Sequence, residues 1–420
     1  REALEKARAQ AALQRSATFK QQEADRERQK AEKETEEAQK AEHAAALKAA
    51  ESAASLARMH LKKGQLRDAE AQFLEARRIR LELPAAGANK DETLTLTSEL
   101  GTVVLKLGRP EEAIPFLREA TDGFSDALGG AHPKALTVIN RLAIAYDSTS
   151  REAEAEALYK QTVTACADKF GAKHRNTLTF VADLGSLLSK MERLDEAEPV
   201  LREALEGRRG ELGDGHADTQ GSMGSLALML QKRNGEGDAK EAEALYREAL
   251  AQTQKANGNE SKITTGVMHN LAELLKQQGR LEETAELYRQ VVAARRKMLG
   301  ESHASTLASV TLLALLARDL GQLEEAETLM REALAERRAT LGQGHADTVK
   351  NVVQLASVLA LKGQEAAADE AESLLRGALS TGRESLGETH QSTQDAITAL
   401  KRLLEQSGRG HEAASLGLPP

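Results

Sequence analysis

The chain has 420 residues, 40% of them apolar, yet aromatics make up only 2% and tryptophan is absent. Ala and Leu, both strong helix formers, supply most of the apolar set and there are only seven prolines, so an all-helical fold is expected. A net charge of −8 and a pI near 5.8 argue against a nucleic-acid or anionic-membrane surface, and one cysteine, Cys166, excludes an internal disulfide or a cysteine-based zinc site.

The sequence starts at Arg1, so more chain is expected upstream. No apolar run approaches the ~18 residues of a membrane span and no secretory signal is visible; a cytoplasmic location is expected. Residues 1–48 lack Gly and Pro, and Ala17, Ala24, Ala31, Ala38 and Ala45 recur at heptad spacing. The other core position is polar, as at Gln21, Arg28 and Thr35, whereas a coiled coil wants two large apolar residues per heptad. Apart from Leu4, Leu13 and Phe19 the stretch offers alanine alone. Pairs such as Arg28–Glu32, Lys30–Glu34 and Glu36–Lys40 suit a solvated helix, at ~0.2–0.5 kcal/mol each. The segment therefore reads as a single charged helix, or the end of a coiled coil, with self-association through it as the competing expectation.

From residue 49 onward the chain repeats itself. A Leu followed by a small residue recurs at Leu56-Ala57, Leu100-Gly101, Leu142-Ala143, Leu184-Gly185, Leu226-Ala227, Leu271-Ala272, Leu313-Ala314 and Leu355-Ala356. Each is followed by a second small residue, a bulky one such as Phe73, Leu117, Tyr159, Tyr246 or Tyr288, and usually an Ala. Small residues let two antiparallel helices approach within ~8–10 Å, and the bulky residue fills the gap between them. Gly64, Gly108, Gly279, Gly321 and Gly363 mark the turn within each pair.

A second phrase, as in LGDGHADTQ at 212–220 and LGQGHADTV at 341–349, carries His132, His174, His216, His303, His345 and His390. The double gap between His216 and His303 is filled by a degenerate copy, with Glu260 read where His would be. The phrase is a helix stop, a crossover and a helix start. Gly129, Gly171, Gly213, Gly300, Gly342 and Gly387 suit a helix C′ position, and Thr93, Thr177, Thr219, Thr264, Thr306, Thr348 and Thr393 are each able to N-cap.

These residues resemble the tetratricopeptide helix-turn-helix pattern. The ~42-residue unit, with strings such as LGESHASTL and EAEALYREAL, is similar to the kinesin light chain and nephrocystin-3-like repeat subclass. The implied fold is a right-handed α-solenoid superhelix. It would have about eight repeats starting near 50, 94, 136, 178, 220, 265, 307 and 349, a truncated ninth near 394 as a cap, and a frayed tail over 416–420. Kinesin light chains carry a dimerising coiled coil, the counterpart here being residues 1–48. Two insertions fall in the turn within a pair: 233–238, expected to be flexible, and 364–369, expected to add a helical turn. Pro115 and Pro199 fit the fourth helical position if their helices cap near Glu111 and Asp195.

No reaction centre is expected. The serial histidines belong to successive units and do not converge, so no metal and no cofactor is anticipated. Cys166 lies among Thr164, Ala165 and Ala167 and reads as a small packing residue. The pairs Arg208-Arg209, Arg295-Arg296 and Arg337-Arg338 suit helix-end electrostatics, and NGEG lacks the Lys-Ser/Thr of a phosphate loop.

What the resemblance implies is a binding surface. In tetratricopeptide arrays the first helix of each pair lines the concave face. Its inward positions correspond here to Asn140 and Arg141, then His269, Asn270, Glu273 and Lys276, then Arg318, Lys350 and Gln354. Amides can hold a peptide backbone, and Lys and Arg can meet acidic side chains. The expected function is a non-catalytic scaffold or adaptor that binds peptide segments, acidic ones with an apolar anchor above all, and neither nucleic acid nor membrane. The alternatives are a sensor array of a larger signalling NTPase or kinase, and a structural component of a filament or axoneme.

Overall fold

The computed structural model describes residues 2–83 and 90–416, with side chains described at Gln21 and from Arg26 onward. Leu4, Leu13, Ala17, Phe19 and Ala24, and the tail over 417–420, lie outside that description. The chain divides into two compact units, residues 1–180 and 181–420.

The first unit contains α1 (Glu2–Lys62), α2 (Leu66–Glu82), α3 (Lys90–Lys106), α4 (Pro110–Leu128), α5 (Pro133–Ser148) and α6 (Glu152–Phe170). The boundary falls within α7 (Arg175–Lys190). The second unit continues with α8 (Leu194–Leu212), α9 (Ala217–Arg233), α10 (Asp238–Asn257), α11 (Lys262–Gln277), α12 (Leu281–Leu299) and α13 (Ala304–Asp319). It ends with α14 (Leu323–Leu341), α15 (Ala346–Leu361), α16 (Glu365–Leu386), α17 (Gln391–Gln406) and the short α18 (Gly410–Ser415). Odd-numbered helices are the first of each pair (A) and even-numbered ones the second (B). From α1 to α6, and again from α8 to α18, each helix packs on the next. The fold class is the expected one: an all-α array of about eight helix-turn-helix repeats with a terminal helix, preceded by a long helical segment. That segment and the first A helix are one element, since α1 runs unbroken through residues 48 and 49.

The Leu-small motif has a steric cause. Ala57, Ala143, Ala227, Ala272, Ala314 and Ala356 are buried, as are the bulky partners Phe73, Tyr159, Tyr246, Tyr288, Met330 and Leu375. At Gly101 a methyl group would lie 2.8 Å from Leu117 Cγ, so α3 and α4 approach too closely there even for alanine.

The histidine phrase works differently from expectation. The helix N-cap is the histidine, not the threonine. His132, His216, His303, His345 and His390 sit in extended backbone, and each Nδ1 accepts the amide hydrogen two residues on, at 3.1–3.2 Å. His174 does the same toward Asn176 at 3.1 Å. The A helices of these repeats therefore start about three residues earlier than the threonines suggested. The threonines lie inside the first turn, buried, and the hydroxyls of Thr177 and Thr264 donate back to the crossover carbonyls of Gly171 and Gly258 at 2.9 and 2.8 Å. In the degenerate copy the cap is Ser261, whose Oγ accepts from the Thr264 amide at 3.0 Å. Glu260, read in the histidine's place, pairs instead with Lys297.

Three further expectations are corrected. α4 and α8 cap at Arg109 and Arg193, two residues before Glu111 and Asp195, so Pro115 and Pro199 lie within their helices. The carbonyls they release, of Glu111 and Asp195, belong to exposed residues. The insertion at 233–238 is closed rather than open: Asp238 takes two hydrogen bonds from Arg233 at 2.8 Å and one from the Gly235 amide at 2.8 Å. The other insertion does lengthen its helix, to 22 residues in α16 against 19 in α14. Finally, the first arginine of each pair is a joint between repeats, not chiefly a helix-end charge. Arg208 donates to Asp218 O and Ser222 Oγ, Arg295 to Ser305 O and Ser309 Oγ, and Arg337 to Asn351 Oδ1, at 2.5–3.1 Å. Each reaches from a B helix to the next A helix. Hydrogen bonds to a charged group contribute about 1.5–3 kcal/mol apiece when desolvated.

Candidate peptide-binding face

The expected site residues fall in both units. Asn140 and Arg141 are on α5 in the first; both are half-buried, and Arg141 donates to Ser98 Oγ on α3 at 3.2 Å. Burial pushes the Arg141 pKa down. The remaining seven are on α11, α13 and α15 of the second unit.

On α11, His269 and Glu273 stand one turn apart, as an A-helix face requires. Both meet Tyr288 of α12. The Tyr288 hydroxyl donates to Glu273 Oε1 at 2.6 Å. With that proton committed, the 3.0 Å contact to His269 requires Nδ1 to donate to the tyrosine oxygen. The two rings meet edge-on, centroids 5.7 Å apart. Burial, then the Glu273 hydrogen bond, pushes the tyrosine pKa up. Burial pushes His269 down, partly offset by the Glu273 charge. The network is thus a neutral imidazole and phenol around one carboxylate, already satisfied and fixed in place. Tyr288, read from sequence as packing alone, is its hub.

Asn270 is half-buried beside this network and Lys276 is exposed at the end of α11. Lys276, Tyr288 and Arg318 line one small pocket of about 140 Å³ with Leu312, Leu315 and Asp319. Arg318 is held by Asp319 at 2.7 Å. It also forms a wall of a larger pocket of about 670 Å³, floored by Val353, Ala360 and Leu361 of α15 and bounded by Asp395 and Arg402 of α17. Lys350 is exposed and Gln354 half-buried on α15, and neither lines these two pockets.

Sequence reasoning missed Asp395 and Arg402. The signal was available, because Arg402 has the same place in α17 that Glu273 has in α11, and Asp395 the place of Lys350. They were overlooked by treating the ninth unit as a cap. Among the described residues no three metal-ligating side chains cluster, and no helix is long and apolar enough to cross a membrane. Cys166 is buried, which raises its thiol pKa.

Family models for the tetratricopeptide repeat match residues 92–168, 177–218, 233–297 and 263–339, together more than half of the sequence. The chain is a tetratricopeptide repeat protein. No curated protein matches it. Among solved structures, a putative kinesin light chain from Podosopora anserina with nearly identical repeats is similar at 24% identity, covering 50% of this chain and 97% of that one, with a TM-score of 0.43. The apo quorum sensor NprR from B. thuringiensis is 16% identical, covering 91% of this chain and 97% of that one, with a TM-score of 0.48. A signal transduction ATPase with a tetratricopeptide repeat sensor from Pyrococcus horikoshii is 12% identical, with a TM-score of 0.51 over 83% of this chain and 52% of that one. The last supports the repeat fold and nothing finer. Tetratricopeptide arrays are in general used for protein–protein interaction.

Proposed function

We propose that the tetratricopeptide array, residues 49–415, is a non-catalytic adaptor of the kinesin light chain-like subclass, and that its second unit receives an extended peptide along α11, α13, α15 and α17. The observation that carries this reading is the larger pocket, whose largely apolar lining includes the two cations Arg318 and Arg402 against one acid, Asp395. Such a lining takes an apolar side chain, Arg402 takes a carboxylate in bidentate fashion, and Arg318, already paired with Asp319, adds positive charge beside it. The subclass assignment is supported by the repeat length and by the Leu-Gly-x-x-His crossover.

Within the expected cluster, Lys276 and Arg318 line one pocket. Lys350 then acts at longer range, through charge. The Glu273–Tyr288–His269 network, through Tyr288, walls the smaller pocket and contributes shape more than charge. The test is fluorescence anisotropy with a library of ten-residue peptides that place one Leu or Trp among Asp and Glu. Binding that weakens at least about tenfold in Lys276→Glu, Arg318→Glu and Lys350→Glu combined supports the reading. Affinity unchanged for every peptide that binds overturns it.

A further inference from the structure

Two A-helix positions are buried in the later repeats but not in the first. Leu100 and Val103, Leu226 and Met229, and Leu313 and Leu316 are all 0–3% exposed. Leu313 and Leu316 show why: they join one apolar cluster with Tyr288, Val291 and Val292 of the preceding B helix, α12. In α1 the corresponding residues are Leu56 and Met59, and they are 37% and 41% exposed. The stretch before them is not a B helix folded back on them, since α1 runs unbroken from Glu2. Two positions that elsewhere lie under a helix are bare here.

The same two residues extend the alanine heptad of the long segment. One line runs Ala31, Ala38, Ala45, Ser52, Met59 and the other Thr35, Glu42, Ala49, Leu56, and all nine are exposed. The seam is lopsided, small along its length and large at its carboxyl end. That asymmetry selects the covering helix. A parallel copy would set Leu56 on Leu56 and Met59 on Met59, leave a gap between facing alanines, and oppose Glu42 to Glu42. An antiparallel copy centred on Ser52 sets each Met59 over the other's Ala45 and each Leu56 beside the other's Ala49, large into small. It also brings Glu42 to Lys62, opposite charges that are both exposed.

We propose that α1 is a homodimerisation helix, pairing antiparallel with α1 of a second copy through Ala45, Ala49, Ser52, Leu56 and Met59. The dimer covers the open edge of the first repeat.

The test uses the full chain. Sedimentation equilibrium should give a dimer, weakened at least about 100-fold by Leu56→Lys with Met59→Lys, since four apolar side chains leave the interface at once. The far-ultraviolet spectrum should be unchanged. Disulfide trapping reads the orientation and does not depend on that variant folding. An Ala45→Cys chain mixed with a Met59→Cys chain, both carrying Cys166→Ala, should cross-link to each other, while Ala45→Cys alone should not. A monomer up to about 200 µM, a dimer indifferent to the two lysines, or ready cross-linking of Ala45→Cys with itself would each overturn the proposal.

Discussion

The turn inside a helix pair and the crossover between pairs are both marked by glycine, yet they tolerate very different sequences. In the turn, Gly64, Gly108, Gly279, Gly321 and Gly363 have φ of 67–76°, but Ser150, Glu192 and Asn234 take the same place in three repeats with φ of 51–59°. In the crossover the residue is Gly at each of seven positions, with φ of 73–94°, and ψ there runs from 147° to 176°. The first conformation is left-handed helical, which L-residues enter at a cost of about 1–2 kcal/mol. The second belongs to a region open essentially to glycine alone. It is therefore not the left-handed C′ cap expected from sequence: the backbone turns outward at once, toward the histidine that caps the next helix.

The contrast can be broken at equivalent sites. Gly279 and Gly300 both have open space where a Cβ would go, so replacing either tests the backbone alone. Gly300→Ala should cost about 2–3 kcal/mol and Gly279→Ala about 1 kcal/mol. Repeat arrays gain stability locally, so native-state hydrogen exchange across α11 to α13 is the measurement. Equal costs would erase the distinction.

The turn at Asn234 is held by charge, and it sharpens the contrast. Asp238→Ala should cost about 2 kcal/mol, because Arg233 and the Gly235 amide lose a buried acceptor. Hydrogen bonding from Arg233 holds the Asp238 pKa at about 2, below the unfolded value of about 3.9. Its contribution is therefore complete above the unfolded pKa and is lost as pH falls through the folded one. Amide exchange at the start of α10 should rise between pH 4 and 2 in the parent and stay flat in the variant, after correction for intrinsic rates.

Smaller effects belong to the caps. His303→Ala should lose about 1 kcal/mol, and His303→Ser should regain most of it, as Ser261 does naturally. Fraying of α13 reads both. Ser150→Gly should gain about 0.5 kcal/mol, relief of left-handed strain outweighing the flexibility of glycine. A loss there would mean that Ser150 is not strained.

Much of the array was legible because its spacing is set by contacts that recur: small against bulky within a pair, glycine at most corners. The histidines were legible as punctuation, but not as caps. An imidazole acceptor reaches the second amide of the helix, whereas the threonine three residues on carries the more familiar capping group. The register error at Glu260 has the same root, since with the cap as the landmark Ser261 aligns. For the site, A-helix positions named Lys276 and Arg318, which come together, and also His269 and Glu273, which a tyrosine from the B helix ties up. That tie depends on depth between helices, and residue spacing along one helix does not carry it. The buried arginines escaped for the same reason: Arg295 and Ser309 are separated in sequence by an entire crossover.

Hydrogen exchange of the full chain with and without a saturating acidic peptide tests the binding face most directly. Protection is predicted in α11, α13, α15 and α17, and it should vanish with Arg318→Glu and Arg402→Glu. Protection confined to the B helices or the crossovers, with the A helices unchanged, would contradict the account.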